Sequence, residues 1–380
     1  MRLFIAGVLV TLRMLLHNKP RLVMALIGVV FSFILSAALL GLLAGWCDTN
    51  SAIIRHAGVD LWLMAPMTEA FDYGTALPRN LIYRARSVPG VAWAEGLYKG
   101  WDLWKCPNGK KIMVEVVGLD DSCVGGPWKM REGRVQDMQR PESVVVDSLY
   151  LGALGVAKVG DTVEIQGYRS VIAGISSDVR TFTASPFVFM SMRTARRLDA
   201  RYKPDEVEYV MVRCAPREDP EKVRDLVAAA IPTAEVLTTR QFSVRTVKYW
   251  ILGTGAGATL VVSAVLGLFV GMVIVSQTLY ATTLDHMADY ATLLAMGFSR
   301  TWIVGVVVAQ SLVIGALGVF AGYLLFVEAM ALSTTTTLLM ETTPLLSAVL
   351  VLATFSCCGV ASVISVRAVF RIDPVSAFKG

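Results

Sequence analysis

Charge is scarce in this 380-residue sequence: 17% of residues are Asp, Glu, Lys or Arg, and 55% are hydrophobic. An ordinary soluble domain carries about a quarter charged residues. The deficit is local. No charged residue occurs in the 26 positions between Arg21 and Asp48, the 36 between Lys248 and Asp285, the 27 between Arg300 and Glu328, or the 25 between Glu341 and Arg367. Between Cys47 and Lys248, by contrast, lie 27 of the 35 Lys and Arg and 25 of the 30 Asp and Glu. This partition excludes a soluble enzyme, a disordered chain, and a nucleic-acid binder for which the net +5 would be a basic surface.

Other absences narrow the chemistry. There is no G-x-x-x-x-G-K-[ST] loop, so the chain does not hydrolyse nucleotide by that route. There is no H-E-x-x-H and no C-x-x-C, and the only histidines are His17, His56 and His286, which disfavours metal or histidine catalysis. An ion-coupled carrier usually needs an ionisable group near the bilayer midplane, and the uncharged stretches hold none. Cysteine is limited to six, with Cys357 and Cys358 in the last uncharged stretch. Cys106 and Cys123 flank a hairpin pattern and form a candidate disulfide, with free buried thiols as the competing reading.

What is present is a set of membrane spans. A hydrocarbon core of about 30 Å takes about 20 apolar residues, so each uncharged stretch can cross once. The expected organisation begins with an interfacial amphipathic helix over 1–20 and a first span over 21–46. A mixed α/β external domain follows over 47–248. A second span (249–284), a cytoplasmic segment (285–300), a third span (301–327), an external loop (328–341), a fourth span (342–366) and a cytoplasmic tail (367–380) complete it. Arg2, Arg13, Lys19 and Arg21 flank the first span, Arg367, Arg371 and Lys379 follow the last, and 329–340 has no Lys or Arg. The positive-inside rule then puts both termini in the cytoplasm. The apolar run continues past the loose small-residue site at Ser36–Ala38, which favours an uncleaved anchor, and Trp46 suits the outer aromatic belt.

In the external domain, β-branched and alternating runs predict strands at 59–64, 112–117, 143–146, 162–165, 170–175, 187–190 and 208–212. Helices are expected at 78–86, 191–200, 219–230 and 239–250, the last running into the second span as one nearly continuous rod. Gly253, Gly255 and Gly257, with the GxxxG pairs Gly267/Gly271 and Gly318/Gly322, read as small residues for helix packing. Between the second and third spans, Asp285 is placed to cap a short helix. Tyr290, Leu293, Leu294 and Met296 give that helix an apolar face, and Gly297 is suited to stop it in the left-handed conformation. Such a helix, exposing Tyr and Met, suits docking into a partner's groove; an ordinary loop helix resting on the membrane is the alternative.

The stretch Asp289-Tyr290-Ala291-Thr292-Leu293-Leu294-Ala295-Met296-Gly297 resembles the E-Y-A-x-L-R-A-L-G signature of the MacB/FtsX superfamily of ABC transporter permeases. The ending Arg371-Ile372-Asp373-Pro374-Val375-Ser376-Ala377-Phe378-Lys379-Gly380 resembles that family's R-x-x-P-x-E-A-L-R-G. His17–Leu22, Val59–Leu63, Gly90-Val91, Leu97-Tyr98 and Trp104–Pro107 are more narrowly similar to DevC-type exporter permeases. Asp289 and Ser376 stand where Glu is usual and Leu294 where Arg is usual, departures that bear on any charge contact with the ATPase at those positions.

The resemblance implies a non-catalytic, homodimeric permease of the bacterial inner membrane. ATP and Mg would be bound by a separate cytoplasmic ATPase, whose motion is relayed to the periplasmic domain. It further implies a periplasmic membrane-fusion adaptor, an outer-membrane duct and lipid-like or otherwise amphiphilic cargo. The implied ATPase contact is Asp289, Tyr290, Ala291, Leu293, Leu294, Met296 and Gly297, assisted by Asp373 and Pro374. A regulator of a periplasmic cell-wall hydrolase and a passive membrane scaffold are the alternative functions.

Overall fold

A computed structural model describes residues 19–181, 183, 185–198, 203–336 and 339–369. The expected interfacial helix, save its last two residues, and Asp373 and Pro374 of the tail lie outside the described residues. The chain divides into two compact units, with boundaries at 45/46, 257/258, 334/335 and 339/340.

The first unit is helical. Lys19–His56, Ala256–Asp285, Arg300–Ser333 and Pro344–Val369 are long helices, each with a stretch apolar enough to cross a membrane. The first helix continues well beyond the expected 46, its final turns held by Ser51 Oγ donating to the Cys47 carbonyl (3.1 Å) and by an Arg55–Asp48 ion pair. The third helix passes Glu328 to end at Ser333, and the fourth starts at Pro344, where a missing N–H costs nothing.

Small residues set the packing of this unit. Gly267 and Gly271 of the second helix face Ser36 and Ser32 of the first. The serines donate to the carbonyls of Ala264 (2.9 Å) and Gly267 (2.8 Å). Gly318 and Gly322 of the third helix face Val29 and Phe33. Both GxxxG pairs are therefore used within the chain, against one helix. Close backbone approach is what such pairs permit where no hydrophobic effect drives association.

The second unit is built on a sheet. Its strands are β1 Leu61–Met64, β2 Leu77–Pro78, β3 Val91–Lys105, β4 Lys111–Leu119, β5 Met130–Glu132, β6 Ser143–Asp147, β7 Thr162–Ile165, β8 Tyr168–Ser176, β9 Phe187–Ser191, β10 Glu206–Val207, β11 Tyr209–Cys214 and β12 Glu235–Thr238. The order is β12-β1-β11-β3-β4-β9-β6-β8-β5; β7 bridges β3 and β8, and β10 pairs with β2 separately. The pairings β3-β4-β9-β6-β8-β7-β3 thus close on themselves, with β4/β9 and β6/β8 parallel.

Helices Asn80–Arg86, Met192–Leu198, Pro220–Ala230 and Thr239–Lys248 accompany the sheet. Asp219 caps the third of these through the Glu221 N–H (3.0 Å), and Thr238 with Gln241 forms a capping box on the fourth. One core cluster includes Trp104, Tyr98 and Val146, and a second Trp62, Phe71 and Phe242.

Of the two readings of Cys106 and Cys123, the structure bears out free buried thiols: they lie one in each cluster and do not form the candidate disulfide. Two expectations are corrected here. The rod from 239 into the second span is interrupted: helix 239–248 passes into a π-helical turn Tyr249–Gly253, and the chain breaks at Gly255, whose φ of +72° is left-handed. Gly255 is therefore there for its backbone conformation, not for helix packing. The long strand β3 was not anticipated, because Glu95, Lys99 and Asp102 break its apolar alternation.

Candidate functional site

The segment joining the second and third apolar helices is the one the sequence singles out. It forms a helix over Met287–Ala295, with His286 at its N-cap position. Asp285 is not the cap. It is the last residue of the second apolar helix, and its carboxylate pairs with Arg21 of the first. Arg21 also donates to the carbonyl of Ala281 at 3.3 Å. At the cap, the imidazole Nδ1 of His286 lies 2.8 Å from Asp289 Oδ2, and Asp289 lies in the first turn, where a carboxylate is favoured by the helix dipole.

The helix ends as its sequence indicates. Gly297 has φ +95°, its N–H donates to the Leu294 carbonyl (3.0 Å), and the Phe298 N–H donates to the Leu293 carbonyl (3.1 Å). These two bonds make a Schellman motif, which satisfies carbonyls that a helix end would leave orphaned. Ser299 then caps the third apolar helix by accepting from the Trp302 N–H at 3.2 Å, and Phe298 packs on Trp302 with ring centroids 4.7 Å apart.

The structure divides the expected contact residues into two groups. Tyr290 and Ala291 are fully buried and pack with Ile303 and Val307 of the third helix; Leu293 and Leu294 are half-buried at the edge of that cluster. Met296 is 64% exposed, and Asp289 and Gly297 are exposed with it. Tyr290 is thus not the docking side chain its sequence position suggests. It ties the short helix to its neighbour. Burial pushes its phenol up to about 12, the side chain of Gln310 opposing the shift and Asp289 adding to it, so it is neutral at any physiological pH.

The outward face consists of Ala288, Asp289, Thr292, Ala295 and Met296: small residues, one carboxylate and one flexible apolar side chain. Such a face can dock against another protein. Sequence reasoning missed Ile303, Val307 and Gln310, although their spacing of four and three marks one helix face. It also missed the Arg21–Asp285 pair, which joins residues 264 positions apart.

A concavity of about 470 Å³ lies on the sheet unit and is lined by Arg79, Asp120, Arg193 and Arg196 among others. Arg79 is committed to Asp120 (2.9 Å) and Arg196 to the Glu206 carbonyl (2.8 Å), so both guanidiniums hold the chain's own loops together.

Comparison with known proteins places this geometry. Residues 22–230 match the family model of the MacB-like periplasmic core domain, and residues 261–374 that of the FtsX-like permease C-terminal. Two uncharacterised ABC transporter permeases of Mycobacterium tuberculosis, from strains CDC 1551 and H37Rv, are each 24% identical over 319 residues, covering 83% of this chain and 83% of theirs. Among solved structures, the periplasmic region of MacB from Actinobacillus actinomycetemcomitans is 12% identical, covering 50% of this chain and 94% of that one, with a TM-score of 0.39. The extracellular domain of the noncanonical ABC-type transporter YknZ from Gram-positive bacteria is 10% identical, covering 47% and 98%, with a TM-score of 0.36. The first family model alone spans more than half of the chain. The chain is a multi-pass membrane protein that belongs to the MacB/FtsX superfamily of ABC transporter permeases.

Proposed function

We propose that this chain is the permease subunit of an ATP-driven exporter, that it works as a homodimer in the bacterial inner membrane, and that ATP and Mg are bound by a separate cytoplasmic ATPase. The observation that carries the reading is the helix Met287–Ala295, which keeps Asp289 and Met296 on its outer face while Tyr290 plugs it into the third apolar helix. A force on the outer face therefore reaches the third helix through packed atoms, and interiors packed to crystal density transmit strain.

The remaining parts of the reading follow the positive-inside rule and the family. Both termini lie in the cytoplasm, and the sheet unit lies in the periplasm. There it passes motion to a membrane-fusion adaptor and an outer-membrane duct. The cargo is lipid-like or otherwise amphiphilic and does not cross the bilayer through this chain. Asp373 and Pro374 assist the ATPase contact from the tail.

Purification of the chain from its native membrane, with identification of bound proteins and extracted lipids, tests this. A P-loop ATPase together with an adaptor or lipid is the expected result. A cell-wall hydrolase in place of both adaptor and lipid would establish the second reading, a mechanical regulator without cargo. Absence of any ATPase would overturn both and leave a scaffold.

A further inference from the structure

The sheet unit buries a group of charges that coupling to an ATPase does not use. Lys99 of β3 and Glu115 of β4 each have side chains 1% exposed, and Asp72 is 7% exposed. The Lys99 ammonium donates to Asp72 Oδ1 at 3.0 Å and lies 3.5 Å from Glu115 Oε2. Glu208, buried as well, accepts from the Lys99 backbone N–H at 2.9 Å, and the Thr183 hydroxyl donates to Glu115 Oε1. The ammonium lies over the rings of Trp101 (4.8 Å) and Phe71 (5.5 Å).

This group reaches the π-helical turn. The second oxygen of Asp72 accepts from the Trp250 indole N–H at 3.2 Å. The adjacent Tyr73 stacks on Trp250 at 6.0 Å and meets Tyr249 edge-on at 5.5 Å. Trp46 adds a further edge contact to Trp250 at 6.2 Å. π-helical turns within helices are rare and frequently fall at functional sites.

Two buried carboxylates, Asp72 and Glu115, share the one ammonium, and Glu115 Oε2 has no hydrogen-bond partner among the described residues; the pair therefore leaves one negative charge uncompensated, which is costly in a buried site. Another cation would relieve that cost. Among the described residues no group of His, Cys, Asp and Glu is arranged to hold a metal ion. A proton on a carboxylate is the alternative, as where acidic groups share a dry site. Glu115 is the member that takes it, because its Oε2 lies 3.5 Å from the ammonium while Asp72, at 3.0 Å, also accepts from Trp250.

We propose that Asp72, Lys99, Glu115 and Glu208 form a proton-binding site, with the proton on Glu115, and that its occupancy sets how firmly Asp72 holds Trp250 and the turn 249–253. The groups that face Glu115 are Lys99 and the Trp101 ring on β3, Asp72 beside Tyr73, Glu208 before β11, and Thr183 in the loop before β9. With Glu115 ionised, Lys99 is divided between two carboxylates. When Glu115 takes one proton from solvent, the ammonium is left to Asp72 and the Asp72–Trp250 contact is fixed more firmly. No other bond changes.

Titration agrees with this assignment. Burial pushes Glu115 up to about 7, with Lys99 opposing and Asp72 reinforcing. For Lys99, burial pulls downward but Glu115, Asp72 and Glu208 outweigh it, so the amine stays protonated. A carboxylate raised in the folded state binds more protons folded than unfolded, so it contributes stability that falls as pH rises from its ordinary value of 4.5 to about 7.

Hydrogen–deuterium exchange of the full-length protein in detergent tests the site, read on peptides covering 249–253 one unit below and one unit above the midpoint. After correction for the intrinsic pH dependence of exchange, protection falls severalfold from the acid to the alkaline side in the wild type. Glu115→Gln keeps the acid-side protection at both pH values. Thr183→Val, which removes a hydrogen bond favouring the ionised form, moves the midpoint upward. Equal wild-type protection on both sides, a pH difference that survives Glu115→Gln, or an unmoved midpoint in Thr183→Val would each overturn the proposal.

Discussion

Replacing Tyr290 with phenylalanine keeps the ring that fills the space against Ile303 and Val307. Replacing it with alanine removes that ring and leaves a cavity. Truncation of a large buried aromatic costs on the order of 3–5 kcal/mol, whereas loss of one hydroxyl costs about 1 kcal/mol. Thermal unfolding in detergent should therefore rank wild type near Tyr290→Phe and well above Tyr290→Ala. Equal midpoints for all three would show that Tyr290 is not packed as described. The same burial makes Tyr290→Asp a poor probe of docking, since it would place a carboxylate in an apolar cluster. At this scale the sequence was informative where a residue acts on its own backbone. Gly297 was legible as a left-handed stop because glycine adopts positive φ without strain. The burial of Tyr290 was not, because it depends on a helix that begins ten residues later.

The short helix and the four apolar helices work as elements through two kinds of joint. One is packed, between Met287–Ala295 and the third apolar helix. The other is ionic, between Arg21 at the start of the first and Asp285 at the end of the second. Both members of the pair are more than a third exposed, so the pair contributes little to stability, and its role is one of position. Arg21→Asp alone puts two carboxylates together and should lower coupled ATPase activity. The exchange Arg21→Asp with Asp285→Arg restores the pair and should recover most of that loss. Failure of the double variant to recover would remove the joint from the mechanism. Element existence was well marked in the sequence: uncharged length marked the four apolar helices, and the helix expected over 219–230 starts where Asp219 caps it. Element ends were less so, because Ser51 and Arg55 extend the first helix by side-chain contacts that composition does not reveal.

For the whole molecule, the closed ring of strands is the feature least legible in the sequence. Its parallel pairs β4/β9 and β6/β8 join segments far apart in the chain, and strand periodicity carries no information about partners at that range. β3 was hidden because its buried positions include Lys99 and Asp102, whose partners come from other elements, and because Gly96 and Gly100 interrupt its pattern. Those glycines are needed where Val207 and the Tyr98 ring press against the strand. The two-unit organisation, in contrast, was set out by the distribution of charge. The account's central claim is that the outer face of Met287–Ala295 and the adjoining Met296 receive the ATPase. Met296 is exposed, so Met296→Asp should change stability by no more than about 0.5 kcal/mol. The decisive measurement is ATP hydrolysis by the reconstituted complex carrying Met296→Asp, with Tyr290→Phe as the control. The account predicts loss of ATPase association and of permease-dependent hydrolysis in the first and retention of both in the second; wild-type association and hydrolysis in Met296→Asp would contradict it.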